Sequence, residues 1–254
     1  MLPPFSWQTT LDSGVVIGFT GTAFGSLASP PPESGVVSSL PTPRQRLDET
    51  VTAAGYNRVR FMRQTHSSCV LPRTVSEDQS SLAAEFDGHY SDGQALSLGV
   101  LTADCLPILI AGTNHQGQPL VAAIHAGRVG LLAGIIQQAL HVLQPKLAAP
   151  GSHHYVRPTA VIGPAICGQC YEVPLAMREE AETQFSTIGA ETSWGTPALD
   201  LSAAAAEVLQ QAGIHTMSTG ICTREDPAFY SYRGGDITER NAGVVLTPAT
   251  ANKE

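Results

Sequence analysis

Two residues with the chemistry of a catalytic or metal-binding site lie inside an apolar run of this chain. Residues 99–112, GVLTADCLPILIAG, have the composition of a buried strand, yet Asp104 and Cys105 stand in the middle of it. A carboxylate within an apolar segment is costly unless a partner pairs with it or donates hydrogen bonds to it. We therefore expect this pair to have a role beyond packing.

Three predicted strands end at or near side chains of types that bind metal ions. The strands cover residues 57–66, 96–105 and 120–127, and the metal-binding side chains are His66, Cys105 and His125. Two imidazoles and a thiolate suit Zn²⁺, and three protein ligands leave a fourth position for water or substrate, as in a catalytic site. If the strands are neighbours in one sheet, their ends can converge on one ion, with Asp104 orienting an imidazole. Gaps of 39 and 20 residues match no local metal motif, so a buried hydrophobic cysteine and ordinary hydrogen-bonded histidines remain alternatives.

Two further segments contain groups that could bind an anion. In HAGRVG, Gly127 and Gly130 lie between an apolar strand and the start of an amphipathic helix, where backbone N–H groups attract phosphate or carboxylate. Arg233 and Arg240 flank a Gly-Gly loop later in the chain. An ordinary strand-to-helix turn and solvated arginines are the alternatives.

The pair Cys167 and Cys170 forms a C-x-x-C motif. A structural zinc site needs a second such pair, and a redox motif needs a thioredoxin-like βαβ unit. Neither is present in the sequence, so we interpret the motif as structural. Cys69 and Cys222 belong to no motif.

Composition and charge restrict the class of protein. Of the 254 residues, 43% are hydrophobic and 14% charged, the balance of a folded protein rather than a disordered one. The net charge of −8 argues against nucleic-acid binding, which needs clustered Lys and Arg. No apolar stretch reaches the ~18 residues of a membrane span, and no signal peptide is visible. Five cysteines fit reduced thiols, so we expect a cytoplasmic protein.

The remaining pattern predicts an α+β fold with mixed β-sheets flanked by helices, because strands and helices do not strictly alternate. We expect one domain over residues 1–254 with a flexible, Pro- and Ser-rich loop at 25–43. Ser202 is the candidate N-cap of the last helix and Gly213 its stop signal. Further strands are expected at 15–20, 159–166 and 242–250, and helices at 44–55, 131–144, 174–185 and 199–213.

Several motifs together resemble the YfiH or laccase-domain family over nearly the whole chain. They are QTHSSCV, LTADCLPILI, AAIHAGRVGLLAGI, IGPAICGQCYEVP, LDL and CTREDPAFYSYRGGDITERNAGVV. The resemblance implies a YfiH-like fold and a zinc site at His66, Cys105 and His125, which would also be the catalytic residues. Copper is the alternative ion. Members of the family are described as purine nucleoside phosphorylases, polyphenol oxidases or peptidoglycan editing factors.

The resemblance implies phosphate-dependent cleavage of adenosine, inosine, guanosine and methylthioadenosine, with zinc-dependent adenosine deamination as a second activity. Purine nucleosides and phosphate are then the expected partners, with no nucleic acid, no membrane and no protein partner that the sequence identifies. The candidate substrate-binding residues are Arg44, Gly127, Arg128, Arg233 and Arg240. Arginines and helix N–H groups would bind the phosphate.

This chain departs from the family pattern beside one predicted zinc ligand. The family usually has HAGWRG, whereas this chain has HAGRVG. Arg128 therefore replaces the tryptophan and Val129 replaces the arginine.

Three other functions remain open from the residues alone. A copper-dependent polyphenol oxidase would also use a His₂Cys site, although no H-x-H pair occurs in the chain. Cys105 and His125 could form the nucleophile and base of a cysteine hydrolase. A pocket that binds a cell-wall precursor would suit a peptidoglycan editing factor.

Overall fold

The computed structural model describes residues 2–28, 41–74, 85–94 and 96–249. The strands are β1 (Trp7–Thr10), β2 (Val16–Phe19), β3 (Val59–Arg60), β4 (Val70–Pro72), β5 (Gly88–Asp92), β6 (Ser97–Thr102), β7 (Leu106–Thr113), β8 (Pro119–Ala126), β9 (Thr159–Ile162), β10 (Gly189–Glu191), β11 (Pro197–Leu199), β12 (His215–Ser218) and β13 (Asn241–Leu246). The helices are α1 (Pro43–Ala53), α2 (Arg128–Leu132), α3 (Ile135–Leu143), α4 (Leu175–Glu182) and α5 (Leu201–Gln211). Short 3₁₀ turns occupy Thr22–Phe24 and Gln144–Lys146.

Two mixed sheets form the centre of the protein. The first has the order β1-β2-β13-β6-β3, and the second has the order β12-β9-β7-β8-β5-β4. Neighbouring strands are antiparallel except for β3 with β6, β12 with β9, and β4 with β5, which are parallel. A separate hairpin pairs β10 with β11. The prediction of an α+β fold with mixed sheets and flanking helices is confirmed.

The alternation of side chains along β7 shows how the layers are arranged. Leu109 and Ala111 belong to the core between the two sheets. Ile108 and Ile110 point to the opposite face and pack in the core that includes α3 and α5. Helix α1 covers the outer face of the first sheet. The order of layers is therefore helix, sheet, sheet, helices, and every residue of β7 is buried.

The apolar run 99–112 is two strands rather than one. Its first half belongs to β6 in the first sheet and its second half to β7 in the second sheet. The chain crosses between the sheets at residues 103–105, where Asp104 has a left-handed backbone with φ of 83°. The predicted single strand is wrong because this sharp turn interrupts an otherwise continuous apolar pattern.

The predicted strand at 57–66 is confirmed only at β3. Beyond Arg60 the chain leaves the sheet, and the backbone N–H groups of Thr65, His66 and Ser67 donate to the Asp87 carboxylate. These donors are not available for strand pairing, which explains why the strand does not extend to His66.

Local signals explain where the helices begin and end. Helix α1 starts with a capping box between Thr42 and Gln45, and Pro43 occupies its first turn. The predicted N-cap of α5 is wrong: the Asp200 side chain accepts from the Ala203 N–H at 2.9 Å, while Ser202 lies inside the first turn. The predicted helix at 131–144 is divided into α2 and α3 because Gly134 has φ of 85°.

The predicted flexible loop at 25–43 lies mostly outside the described residues, because 29–40 are not among them; Pro43 itself begins α1. Within the ranges that the structure describes, no helix has the length and apolar character needed to cross a bilayer.

Candidate functional site

His66, Cys105 and His125 meet where the two sheets adjoin. His66 follows β3 of the first sheet, Cys105 lies in the crossing between the sheets, and His125 belongs to β8 of the second. The Cys105 Sγ lies 3.6 Å from the His66 Nε2, and the two imidazole centroids are 4.8 Å apart. One ligand atom from each residue lies within 4.8 Å of the others. The expectation that neighbouring strands of a single sheet bring them together is wrong, since two sheets contribute.

Asp87 holds both histidines in place. Its fully buried carboxylate accepts the His125 Nδ1–H at 2.7 Å, the His66 N–H at 2.9 Å and the Ser67 hydroxyl at 2.8 Å. The loop that wraps around this carboxylate gives His66 a left-handed backbone with φ of 63°, which is uncommon for a residue with a Cβ. Because Nδ1 of His125 is engaged by Asp87, Nε2 is the nitrogen left to face the centre.

Asp104 does not orient an imidazole, so that prediction is wrong. Its carboxylate accepts hydrogen bonds from the hydroxyls of Thr223 and Ser231 and from the backbone N–H of Arg233, each at 2.7 Å. These three hydrogen bonds offset the free-energy cost of burying the Asp104 carboxylate in an apolar segment. Asp104 therefore attaches the loop around Arg233 to the crossing that supplies Cys105.

Gly127 allows the three side chains to come this close. A Cβ at this position would lie 2.7 Å from the His66 Cδ2 and 3.0 Å from the Cys105 Sγ. Gly127 thus lies against the cluster rather than among the residues that line the neighbouring cavity. Its predicted role in phosphate binding stays a prediction.

A cavity of about 720 Å³ opens beside the three residues. This volume is within the usual range for small-molecule sites. Its wall combines cations with apolar and hydroxyl groups. The lining includes Arg44, Arg128, Arg233, Arg240, Met62, Gln64, Leu101, Ile166, Tyr171 and Tyr232. The structure therefore places all four predicted substrate-binding arginines on one cavity wall.

Two of the four arginines are each held by a backbone carbonyl and an aromatic ring. The Arg44 Nε donates to the Leu27 carbonyl at 2.8 Å, and its guanidinium lies 5.0 Å from the Phe61 ring centroid. Arg233 lies 4.9 Å from the Tyr171 ring centroid and donates to the Glu172 carbonyl at 3.2 Å. Such contacts hold a guanidinium in position and leave other N–H donors for a ligand.

The change from HAGWRG to HAGRVG places the arginine on the cavity side. Arg128 lines the cavity together with Tyr171. Val129 is 51% exposed. In this chain the cationic side chain of the motif is therefore Arg128.

The electrostatics of the cluster favour a thiolate. Burial alone would raise the pKa of Cys105, but hydrogen bonds and charge from His125 and His66 lower it to about 6. Burial alone would lower the pKa of His125, but bonding to Asp87 and Cys105 raises it to about 9. Although burial opposes it, the hydrogen bonds from His125 and Ser67 hold the pKa of Asp87 well below its usual range.

The donor set fits a zinc ion. A thiolate and two imidazoles, one of them fixed by a carboxylate on its far nitrogen, are established zinc ligands, and the open cavity leaves room for a fourth. The second group of metal-capable side chains within the described residues contains Cys167, Cys170, Cys222 and Glu225.

Sequence reasoning missed Asp87, Gln64 and Tyr171. The Gln64 side chain exchanges two hydrogen bonds with the backbone of Leu101, at 2.7 and 2.8 Å, and so attaches the His66 loop to β6. The sequence offered the same signal at Asp87 as at Asp104, namely a carboxylate between apolar residues and a strand. Tyr171 directly follows the C-x-x-C motif, and no local pattern there indicates a residue that lines the cavity and contacts the Arg233 guanidinium.

Comparisons with known proteins agree with this architecture. A family model described as multi-copper polyphenol oxidoreductase laccase matches residues 39–248. A protein from Streptomyces coelicolor named purine nucleoside phosphorylase is 36% identical over 247 residues, 92% of this chain and 96% of that protein. One of the same name from Mycobacterium tuberculosis is 34% identical, covering 80% and 77%.

Solved structures give the same result for the fold. YlmD from Geobacillus stearothermophilus has a TM-score of 0.71 and 26% identity, with 97% of this chain and 94% of that chain covered. A Neisseria meningitidis protein has a TM-score of 0.68 and 23% identity, with coverage of 96% and 98%.

Proposed function

The chain belongs to the YfiH or laccase-domain family, whose model is described as multi-copper polyphenol oxidoreductase laccase, and from this premise we propose that it is a purine nucleoside phosphorylase. The observation that carries the proposal is one cavity that joins the His66, Cys105 and His125 cluster to four arginines. Relatives named purine nucleoside phosphorylase, similar over up to 92% of this chain, support it. The proposed substrates are adenosine, inosine, guanosine and methylthioadenosine.

The arginines of the cavity would bind the phosphate. A phosphate oxygen accepts charge-assisted hydrogen bonds from guanidinium groups, which are about twice as strong as neutral ones. Arg44, Arg128, Arg233 and Arg240 offer these donors from four separate segments of the chain. Local positive charge of this kind allows an anionic substrate to bind despite the net charge of −8.

The apolar side chains would hold the purine and ribose. Met62, Leu101, Ile166 and Tyr171 provide flat or flexible surface beside the arginines. In phosphorolysis, the bond between ribose C1′ and the purine nitrogen breaks with its electron pair on the purine, which takes up a proton. A phosphate oxygen forms the new bond to C1′, and positive charge develops on the sugar between the two events. Holding phosphate against that carbon is the part of the reaction that this cavity suits.

The cluster would hold the metal ion. His66, Cys105 and His125 are the proposed ligands, and zinc is the proposed ion, with copper as the alternative. A bound zinc ion supplies Lewis acidity, which can activate water for attack on C6 of adenine and so support adenosine deamination as a second reaction. Asp87 keeps the His125 ring in the orientation and tautomer that a ligand needs.

The test is chromatography of adenosine incubated with the pure protein, with and without inorganic phosphate. Phosphorolysis gives adenine and ribose 1-phosphate only when phosphate is present. Deamination gives inosine in either case, and both reactions together give hypoxanthine. If neither adenine nor hypoxanthine forms at any phosphate concentration, that result contradicts the phosphorylase proposal.

A matched pair of arginine variants sharpens this test. Arg128→Gln removes one proposed phosphate contact, and we expect the KM for phosphate to rise about 10- to 100-fold, the value of one charge-assisted hydrogen bond. Arg58→Gln changes an exposed arginine outside the cavity lining and should leave that KM unchanged. Equal changes in the KM for phosphate in both variants would contradict a role for Arg128 in phosphate binding.

A copper-dependent polyphenol oxidase is the second candidate, because the family model carries that description. The His₂Cys set would accept copper. Elemental analysis and oxygen uptake with a diphenol separate the two candidates. Several copper ions per chain together with oxygen consumption would favour the oxidase.

A further inference from the structure

A second cluster of metal-binding side chains lies outside the three-residue cluster. Cys167, Cys170, Cys222 and Glu225 each place one ligand atom within 4.8 Å of the others. Cys170 and Cys222 are buried, Cys167 is half-buried and Glu225 is exposed. The sequence contains only one C-x-x-C pair, but the fold supplies the missing ligands from a segment more than 50 residues later.

Two tight turns present these groups to one another. In the first turn, the N–H groups of Cys170 and Tyr171 donate to the Cys167 carbonyl, both at 3.0 Å. In the second, the Glu225 N–H donates to the Cys222 carbonyl at 3.2 Å. The turns are joined by a parallel bridge between Ala165 and Cys222. The Cys167 N–H points at the Cys222 Sγ, 3.4 Å away, a contact that stabilises a metal-bound thiolate.

We propose that Cys167, Cys170, Cys222 and Glu225 form a second, structural zinc site. Zinc at about 2.3 Å from sulfur and 2.1 Å from oxygen requires about 3.8 Å between sulfurs and about 3.6 Å between sulfur and oxygen. The Cys170 Sγ lies 3.3 Å from the Glu225 Oε1, and the 4.8 Å limit for the other pairs requires shifts of about 1 Å or less.

The donor types identify the class of ion. Three sulfur donors select zinc over magnesium or calcium, which take oxygen ligands. Four protein ligands complete a tetrahedron and leave no position for substrate, which is the pattern of a structural site. The Arg224 guanidinium, bonded to the Cys170 carbonyl at 3.2 Å, brings positive charge next to a site whose ligands are all anionic when metal is bound.

The site would connect two segments of the cavity wall. Ile166 and Tyr171 flank the first turn and line the cavity. Thr223, in the second turn, donates to Asp104, which also holds the backbone of Arg233. A metal ion between the turns would therefore fix Tyr171 and Arg233 relative to each other without touching substrate.

Counting zinc in variants tests this proposal without measuring activity. We expect two zinc ions per chain in the protein as purified without chelators, one in Cys105→Ala and one in Cys222→Ser. Cys69→Ala removes a half-buried cysteine outside both clusters and should retain two. A Cys105→Ala protein that contains no zinc and has four reactive thiols would overturn the proposal.

A disulfide among the three cysteines is the competing outcome. Thiol titration after unfolding without reductant should find all five cysteines free. A disulfide between any two members of the cluster would overturn the proposal, because those sulfurs could not bind zinc. Cobalt(II) in the Cys105→Ala variant should give the sulfur-to-metal absorption and tetrahedral d–d bands of a site with three thiolates.

The Glu225→Gln variant provides a second test of the site in case Cys222→Ser does not fold. Glu225 is exposed, so its amide variant should fold normally while releasing zinc to a competing chelator at least tenfold faster from the second site. Asp226→Asn, which alters the neighbouring carboxylate outside the cluster, should stay within twofold of the parent. These measurements should be made in the Cys105→Ala background. Equal release rates in both variants would overturn Glu225 as a ligand.

Discussion

The cluster of His66, Cys105 and His125 and the cluster of Cys167, Cys170, Cys222 and Glu225 both contain cysteine, but they differ in ligand number and surroundings. The first offers three side chains and opens on a cavity of about 720 Å³. The second offers four and is formed by two turns joined through backbone hydrogen bonds. An open position suits chemistry, whereas a complete set of ligands suits stability.

The origin of the ligands differs in the same way. The first cluster depends on the crossing between two sheets, a carboxylate beneath it and a glycine with no room for a Cβ. The second needs only two local turns brought together by one strand-like bridge. The proposed reactive site is thus supported by contacts from across the fold, while the proposed structural zinc site is assembled from two local turns. The following changes test that contrast.

The largest expected effect is on activity, from Cys105→Ala. Losing a proposed zinc ligand from the His66, Cys105 and His125 cluster should lower kcat/KM for the proposed phosphorolysis by at least about 10³-fold, or about 4 kcal/mol of transition-state stabilisation. The midpoint of thermal unfolding should change by only a few degrees, because no element depends on this ligand alone. Steady-state kinetics and calorimetry measure both. A variant with parental kcat/KM would show that the open cluster is not the reactive centre.

Cys222→Ser should lower thermal stability strongly and kcat only slightly. Losing the proposed second zinc ion should lower Tm by roughly 10 °C, which corresponds to about 3 kcal/mol for a chain of this size. At a temperature where the variant is folded, we expect kcat to fall by less than about fivefold, since no group that contacts substrate is lost. A thousandfold loss of kcat with an unchanged Tm would contradict a structural role for the cluster that contains Cys222.

Asp87→Asn tests the support of the open cluster. An amide cannot match a carboxylate that accepts from His125, His66 and Ser67, so zinc affinity and activity should fall about 10- to 100-fold. Asp104→Asn is the matched control, since that carboxylate is also buried but bonds to the Arg233 loop. The control should keep its zinc affinity and instead raise the KM for phosphate. Equal losses of zinc affinity would remove the distinction between the two carboxylates.

The smallest effect concerns thiol reactivity in the chelated protein. With a pKa of about 6, Cys105 is half ionised at pH 6, and after its lower intrinsic nucleophilicity is included it should alkylate roughly tenfold faster than an ordinary thiol. Burial and the neighbouring Glu225 and Cys167 raise the pKa of Cys170, so it should stay unmodified. The rate at Cys105 should level off above about pH 7. Mass spectrometry of iodoacetamide-treated protein gives both rates, and preferential labelling of Cys170 would contradict them.

The sequence predicted part of this arrangement, and the reasons are specific. Apolar runs ending on His66, Cys105 and His125 were visible, and so were the helices flanking mixed sheets. The crossing at 103–105 was not, because an apolar pattern does not reveal which sheet each half joins. The role predicted for Asp104 is carried out by Asp87 for the same reason: each is a carboxylate beside apolar residues, and only the tertiary contacts show which one faces an imidazole. Cys222 could not be matched with Cys167 and Cys170 because the chain between them includes two helices.

The position of β13 has a consequence for how the protein is made. This strand lies between β2 and β6 in the middle of the first sheet, yet along the chain it comes after all the other strands that the structure describes. During synthesis on the ribosome, the first sheet therefore stays open at its centre until β13 emerges. Pairings across more than 200 residues make folding slow, and the exposed edges of β2 and β6 are places where a nascent chain could pair with a neighbour instead.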